Sequence, residues 1–465
     1  MKPAVSSPRL IFAAAALPFL NVLAFGWLAA TTVISRDQWR FLPMVQDWYA
    51  GRFQWDSLWL SHSQHRTPGY KLEFLLNAII FRLDMRVEVM LGAMLLAGAV
   101  LLLARHFLKT LPAMPAMQRM LAAAAVAWLA LSLNQWDSLV YGLGAVSGFG
   151  HVFFFVLFWL WLDASLHRDP SPRDVVGLTA LLAFVLLFWA AGHGPALLAS
   201  VTAALLVTGY GGGMASPRRT RLYAALAAAA ILAELVYWLA GPLAPVRSSS
   251  AAHIGQMLAA PGRLVEFLLM ALSGSALPVS GMEHHGWPHG LTLFLGAAIG
   301  ATYAICIVAF IRRRLWSVSY VPAFLMAYSL LEIASVLMVR FGEGQATAAA
   351  PRYVLDNALG LLGCFWTLVL WQAAQPRLDA AWRKYGVPGL SAAALLTAVA
   401  ASAMLWGHLG EQRRNVQAAV QQVRAGDFEA QDWICPDVQL CAEGVEFLRR
   451  ERLNIFRDET VPIRR

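Results

Sequence analysis

The sequence predicts an all-α polytopic membrane protein of about eleven transmembrane helices, with juxtamembrane helices at the outer face and a small extracytoplasmic tail. Three observations predict it. Of 465 residues, 59% are apolar and only 14% are charged, against about 25% charged in a soluble domain, so polar surface is too scarce to cover a water-soluble body. The mean hydropathy is +0.57, and the apolar residues fall in runs near the ~20 residues that one membrane crossing needs. Positive charge, finally, sits in short loops in alternate gaps between those runs. These features exclude a soluble enzyme on one anchor and a disordered chain. The formal charge of +9 belongs to those loops, so it gives no reason to expect a nucleic acid partner.

Apolar runs occupy residues 10–34, 87–104, 120–136, 146–166, 174–191, 194–210, 222–241, 289–311, 317–339, 353–373 and 387–407. The first is longer than the roughly 7–15 apolar residues of a signal peptide, so an uncleaved span is expected. Five loops carry the base: Arg105, Lys109 and Arg119; Arg168 and Arg173; Arg218, Arg219 and Arg221; Arg312, Arg313 and Arg314; and Arg377, Arg383 and Lys384. The positive-inside rule places all five in the cytoplasm with Lys2 and Arg9. Two shorter runs, 70–81 and 264–279, would invert that parity if either crossed. Residues 70–81 are therefore read as an interfacial helix, and 264–279 as an interfacial or re-entrant piece. The amino terminus is expected in the cytoplasm and the carboxy terminus outside a bacterial inner membrane.

This gives a transmembrane domain over 1–407 and a helical tail over 408–465. Gly211-Gly212-Gly213 lacks a following Lys-Ser/Thr pair and reads as a linker. Cys306 and Cys364 fall inside spans as apolar fillers. Cys435 and Cys441 lie in the outer tail, where an oxidising periplasm favours a short-loop disulfide. No His follows residue 408, which weighs against a metal pair there.

Ionisable groups beside a membrane are the first candidates for function. The outer loop 35–86 holds Asp37, Asp47, Asp56, His62 and His65 among Trp39, Trp48, Trp55 and Trp59, a density of Trp that marks helices at headgroup depth. Glu283-His284-His285 precedes a span, and Arg340, Glu343, Arg352 and Tyr353 flank another outer gap. Arg suits bidentate binding of phosphate. A lone carboxylate just past a span can take a proton from a hydroxyl. ATP is absent outside the cytoplasm, so a transferase there needs a donor already activated in the lipid. The spans read as nearly free of charge, with Glu234 and Glu332 the main exceptions.

In this layout the chain resembles the GT-C superfamily of membrane glycosyltransferases, which use polyprenyl-phosphate sugars and include the aminoarabinose and protein O-mannosyl transferases. The resemblance rests on Asp37 at the head of a long outer loop, Arg86 at that loop's end, a second outer loop over 242–288 ending in a His-aromatic stretch, and Arg352-Tyr353 before a later span. It covers most of residues 1–375. It implies Asp37 as the catalytic carboxylate, with Arg86, Arg352, Tyr353, Arg340 and His65-Arg66 holding the carrier phosphate. Asp137, Glu283, His284 and His285 are secondary candidates. Many members have a second acidic residue beside the first; here Gln38 follows Asp37. No cofactor follows firmly, and a divalent metal is left open, with no metal ligands assigned. The implied partners are a polyprenyl-phosphate sugar donor, membrane lipids and a glycan, lipid or protein acceptor. The rival readings are a transporter or flippase for a lipid-linked intermediate and a surface-polysaccharide ligase or polymerase. For individual residues the plain alternatives are interfacial hydrogen bonding for His62 and His65, and snorkelling for Arg340 and Arg352.

Overall fold

The computed structural model describes residues 8–61, 65–111, 114–209, 216–240, 250–279, 282, 286–373, 380–428, 434–435 and 437–458. The described residues are overwhelmingly helical and contain no β-strand. Nine of their helices are long and apolar enough to cross a membrane. In chain order the helices are α1 (Pro8–Ala29), α2 (Leu42–Tyr49), α3 (Pro68–Phe81), α4 (Met85–Thr110), α5 (Ala116–Ala130), α6 (Trp136–Val140), α7 (Phe149–Leu166), α8 (Pro172–Phe184) and α9 (Gly194–Gly209). Then come α10 (Pro217–Leu239), α11 (Ser250–Ala259), α12 (Pro261–Gly274), α13 (His289–Arg312), α14 (Val321–Arg340), α15 (Pro351–Ala373), α16 (Ala380–Ala425) and α17 (Val438–Arg450). Two shorter apolar stretches, Ala15–Ala29 and Ala191–Leu206, lie on the first and sixth expected runs, so every expected run carries a helix. Large apolar side chains point outward along them, among them Phe294 and Leu396, each 70% exposed. That outward apolar surface and the helices' length make this a multi-pass membrane protein.

Local chemistry sets the helix ends. Asp84 caps α4 by accepting from the Arg86 N–H at 3.1 Å. Ser171 and Asp174 close a reciprocal capping box at α8, satisfying donors that a helix start leaves free. α3 has only 14 residues, about 21 Å at 1.5 Å per residue. Its Leu76, Ile79, Ile80 and Phe81 are exposed while Tyr70 and Phe74 are buried, the two-faced pattern expected of a helix on the interface. α12 is equally short and lies along α13, where a Cβ on Gly296 would come within 2.0 Å of the Leu269 carbonyl. Only glycine permits that approach.

The bundle has two unlike ends. At one, the described basic loops gather: Arg218 reaches Asp169 at 2.9 Å, Arg219 the Leu166 carbonyl at 2.9 Å, and His167 the Trp316 carbonyl at 3.1 Å. The other end carries the loop 35–86 and the tail. The expected tail does not begin at a break: α16 is one helix of 46 residues, continuous through 407. Its far end and α17 fold onto the loop, where Trp39, Phe41 and Phe74 share one core with Phe428, Cys441 and Phe447. Asn454 Nδ2 donates to the carbonyls of Thr32 at 2.9 Å and Leu83 at 2.7 Å. The Cys435–Cys441 disulfide is formed, and Cys306 and Cys364 are free and buried.

One expectation needs correction. The spans are not nearly free of charge: Glu88, His151, Asp163 and Asp356 are each 4% exposed or less. All four lie within two turns of a helix end, where a linear pattern cannot separate an interfacial side chain from one turned inward. Packing between helices makes that choice.

Candidate functional site

At the loop end the chain leaves α1, crosses Ser35 and enters the 3₁₀ turn Arg36–Phe41. Arg36 is left-handed, with φ 53°, a conformation that costs a non-glycine residue about 1 kcal/mol. Neighbouring groups hold it there. Its N–H donates to the Ile434 carbonyl at 2.9 Å, and its guanidinium lies 3.2 Å from Asp137 Oδ2 and 4.1 Å from the centre of the Tyr141 ring. Burial works against the Arg36 charge, but Asp137, with Asp37 behind it, holds the guanidinium above its ordinary range. Asp37 follows, half-buried, in the field of Arg36.

Gln38 turns the other way. Its Nε2 donates to Glu88 Oε2 at 3.0 Å and to the Tyr70 hydroxyl at 2.9 Å; Tyr70 and Asn77 also donate to Glu88, at 2.9 and 2.8 Å. A carboxylate at 38 would face the buried Glu88 carboxylate, so a donating amide suits this position.

The remaining expected residues take separate places. Arg340 pairs with Glu343 and lies in the field of Tyr353, while the exposed Arg352 lies 5.0 Å from the Tyr353 ring; these residues are neighbours. Asp137 sits on α6, which packs against α15, the helix that begins with Arg352 and Tyr353. Arg86 lies over the Trp27 ring at 5.1 Å, and its buried Nε has no hydrogen-bond partner. Arg66 is turned inward: it donates from Nε to the Tyr237 carbonyl at 2.8 Å and from a terminal nitrogen to the Trp59 carbonyl at 2.6 Å, so its guanidinium ties the loop to α10. His65 is exposed, and a Cβ on Gly192 would come within 2.7 Å of its ring. His62, Glu283, His284 and His285 lie outside the described residues.

That contact leads to residues which the sequence reading did not single out. His193 follows Gly192 on the turn Ala191–His193, with Ala191 left-handed at φ 45°. Its ring stacks on that of His151, with centroids 4.1 Å apart and planes 10° from parallel. His151 Nε2 is 2.8 Å from Asp356 Oδ1, which also accepts from the Tyr328 hydroxyl at 2.7 Å. His193 Nδ1 is 3.1 Å from Glu332 Oε1, yet the two are not aligned as a hydrogen bond. Two π-turns, Gly144–Gly148 and Val185–Trp189, precede the two histidines; such turns break a helix's regular ladder and occur often at functional sites. One spacing in the sequence marks the place: Asp356 stands four residues after Arg352, on the same helix face. The histidines carry no such sign.

Compared with known proteins, the chain matches no family model and no curated protein.

Proposed function

We propose that this chain is a glycosyltransferase of the outer membrane face, moving a sugar from a polyprenyl-phosphate donor to an envelope lipid, glycan or protein. In this reading it is GT-C-like, crosses a bacterial cytoplasmic membrane eleven times, and keeps its amino terminus inside and its carboxy terminus outside. The observation that carries the proposal is the Arg36–Phe41 turn. It is held in a strained start by the tail and by the Arg36–Asp137 pair, and it sets a half-buried carboxylate beside a guanidinium.

Asp37 takes the proton of an acceptor hydroxyl, whose oxygen attacks the anomeric carbon. The bond from that carbon to the carrier phosphate breaks, and its electron pair leaves on the phosphate oxygen. Arg86 and Arg352, with Arg340 and Tyr353 beside them, match the charge of the departing phosphate, and fixed charges of this kind supply the largest stabilisation. A single displacement inverts the anomeric centre. An apolar groove of about 660 Å³ runs between α8 and α10 from Val175 to Leu187 and Val236, ending beside Tyr237 and the Arg66 anchor. It suits the carrier's hydrocarbon chain.

Transport of a lipid-linked intermediate is a second reading, favoured by one observation. His151, Asp356 and Glu332 lie inside spans, with His193 on the turn beside them, and spans are where transporters keep proton and substrate sites. Purified protein incubated with radiolabelled polyprenyl-phosphate sugars and candidate acceptors tests the first reading beside Asp37→Asn. Loss of a general base is expected to lower the rate about 10²–10⁴-fold. Equal rates would remove Asp37 from the mechanism. No transfer from any donor, together with movement of a lipid-linked sugar across proteoliposomes, would establish the second reading.

A further inference from the structure

We propose that His151, His193 and Asp356 bind a divalent transition ion of the zinc class, with Glu332 as an adjoining carboxylate. One nitrogen or oxygen from each of the three lies within 4.8 Å of the others. In a tetrahedral zinc site with bonds of about 2.0–2.2 Å, ligand atoms sit about 3.4 Å apart, so closure needs a shift of roughly an ångström.

The argument turns on a missing positive charge. His151 Nδ1 is 3.0 Å from the Ser147 carbonyl, and a carbonyl only accepts, so the ring proton belongs on Nδ1. The neutral ring then directs its Nε2 lone pair at Asp356 Oδ1, 2.8 Å away; the Tyr328 hydroxyl is 3.3 Å from the same nitrogen, but its one proton goes to Asp356 at 2.7 Å. Two acceptors face one another across a fully buried contact. Something positive belongs between them: a second ring proton, or a cation. Glu332 adds another carboxylate, 4% exposed, whose Oε1 stands 3.1 Å from His193 Nδ1 without forming a hydrogen bond. A single dication balances both carboxylates while leaving both imidazoles neutral, the form that ligates. The surroundings are already built for a ligand set: Ser147 fixes the tautomer of His151, and Tyr328 donates to Asp356, as groups behind metal ligands do.

Binding requires one movement. An ion lies in the plane of the imidazole that holds it, and parallel stacked rings cannot share one. His193 is able to turn, because it sits on a three-residue turn with its side chain 28% exposed. That exposed edge also leaves a coordination position open.

The full chain, purified in detergent with any histidine tag removed, is assayed for bound metal by mass spectrometry, and after dialysis against Co²⁺ by visible absorption. About one ion per chain is expected. His193→Gln and Asp356→Asn are each expected to lower occupancy at least about tenfold and to abolish the cobalt bands. Should Asp356→Asn fail to fold, His193→Gln decides, since its partner contact is loose. Wild-type protein with fewer than about one ion in ten chains and no cobalt bands overturns the site, because a second ring proton then fills the gap. An ion count unchanged in His193→Gln is adventitious binding and overturns it too. Neither readout depends on sugar transfer, so this site and the proposed activity fail separately.

Discussion

Asp163, at the basic end, and Asp356, near the loop end, are both buried carboxylates beside a histidine, but their surroundings differ. Asp163 accepts from His106 Nε2 at 2.8 Å and from the Tyr320 N–H at 2.6 Å, and Ser319 reaches the same histidine at 3.4 Å. Asp174, also at the basic end, accepts from Trp161, Ser171 and Arg168. Those contacts join α4, α7, α8 and the turn before α14 into a closed knot. Near the loop end, Asp356 meets His151 Nε2 at 2.8 Å but Glu332 and His193 beside them are misaligned, Arg86 Nε is unpartnered, and Arg36 and Ala191 are left-handed. Groups whose bonding is complete hold the bundle together. Groups left with strain and open valence are the ones available to a ligand.

The largest expected effect breaks that comparison if it fails. Asp163→Ala leaves a buried N–H and an imidazole without their acceptor, and is expected to cost about 3 kcal/mol. It would be read as lost folded yield and earlier thermal unfolding in detergent. Glu332→Gln near the loop end is expected to stay within about 1 kcal/mol of wild type. Equal losses at the two positions would show that both ends are scaffold.

A smaller effect sharpens the comparison. The Cys435–Cys441 bond closes a short loop directly after Ile434, whose carbonyl accepts from both the Arg36 N–H and Trp39 Nε1, the latter at 2.8 Å. Replacing both cysteines with serine should destabilise the tail by about 2 kcal/mol. Hydrogen exchange should quicken at Arg36–Phe41 and α17 and stay unchanged at α7 and α14. Exchange that rises evenly along the chain would mean the tail braces the whole bundle rather than the turn carrying Asp37.

Much of the fold was legible because hydropathy acts along the chain: run lengths located the helices and marked α3 and α12 as short. The long α16 was read short because its polar second half lacks the apolar signal, although its helix-forming residues continue. Site legibility was narrower. Arg340, Arg352 and Tyr353 stood out because charge in a short gap between apolar runs is conspicuous. Arg66 stood out as well, but only three-dimensional packing could show it donating to main-chain carbonyls. His151 and His193 each sit alone in an apolar stretch, 42 residues apart in sequence; what makes them chemistry is the stacking of α7 against the turn before α9, and no local pattern encodes that.

The smallest expected effect concerns Lys71, on α3 beneath the loop. Its Nζ donates to the carbonyls of Ser57 at 3.0 Å and Leu60 at 2.6 Å. Burial, with the Arg66 charge nearby, pushes it from 10.5 down to about 8. Below pH 8 the amine is charged in both the folded and unfolded chain, so its contribution to stability is constant. Between about 8 and 10.5 the folded chain has released the proton while the unfolded chain still holds it, so stability should rise with pH in that window. Lys71→Met removes the titrating group and should flatten that part of the curve. Unfolding followed by tryptophan fluorescence from pH 7.5 to 10 measures the difference between the two proteins, which cancels the titration of every other group. Parallel curves would mean that Lys71 keeps its proton in the fold, through water that reaches under the loop, and the loop end would then be wetter than its packing indicates.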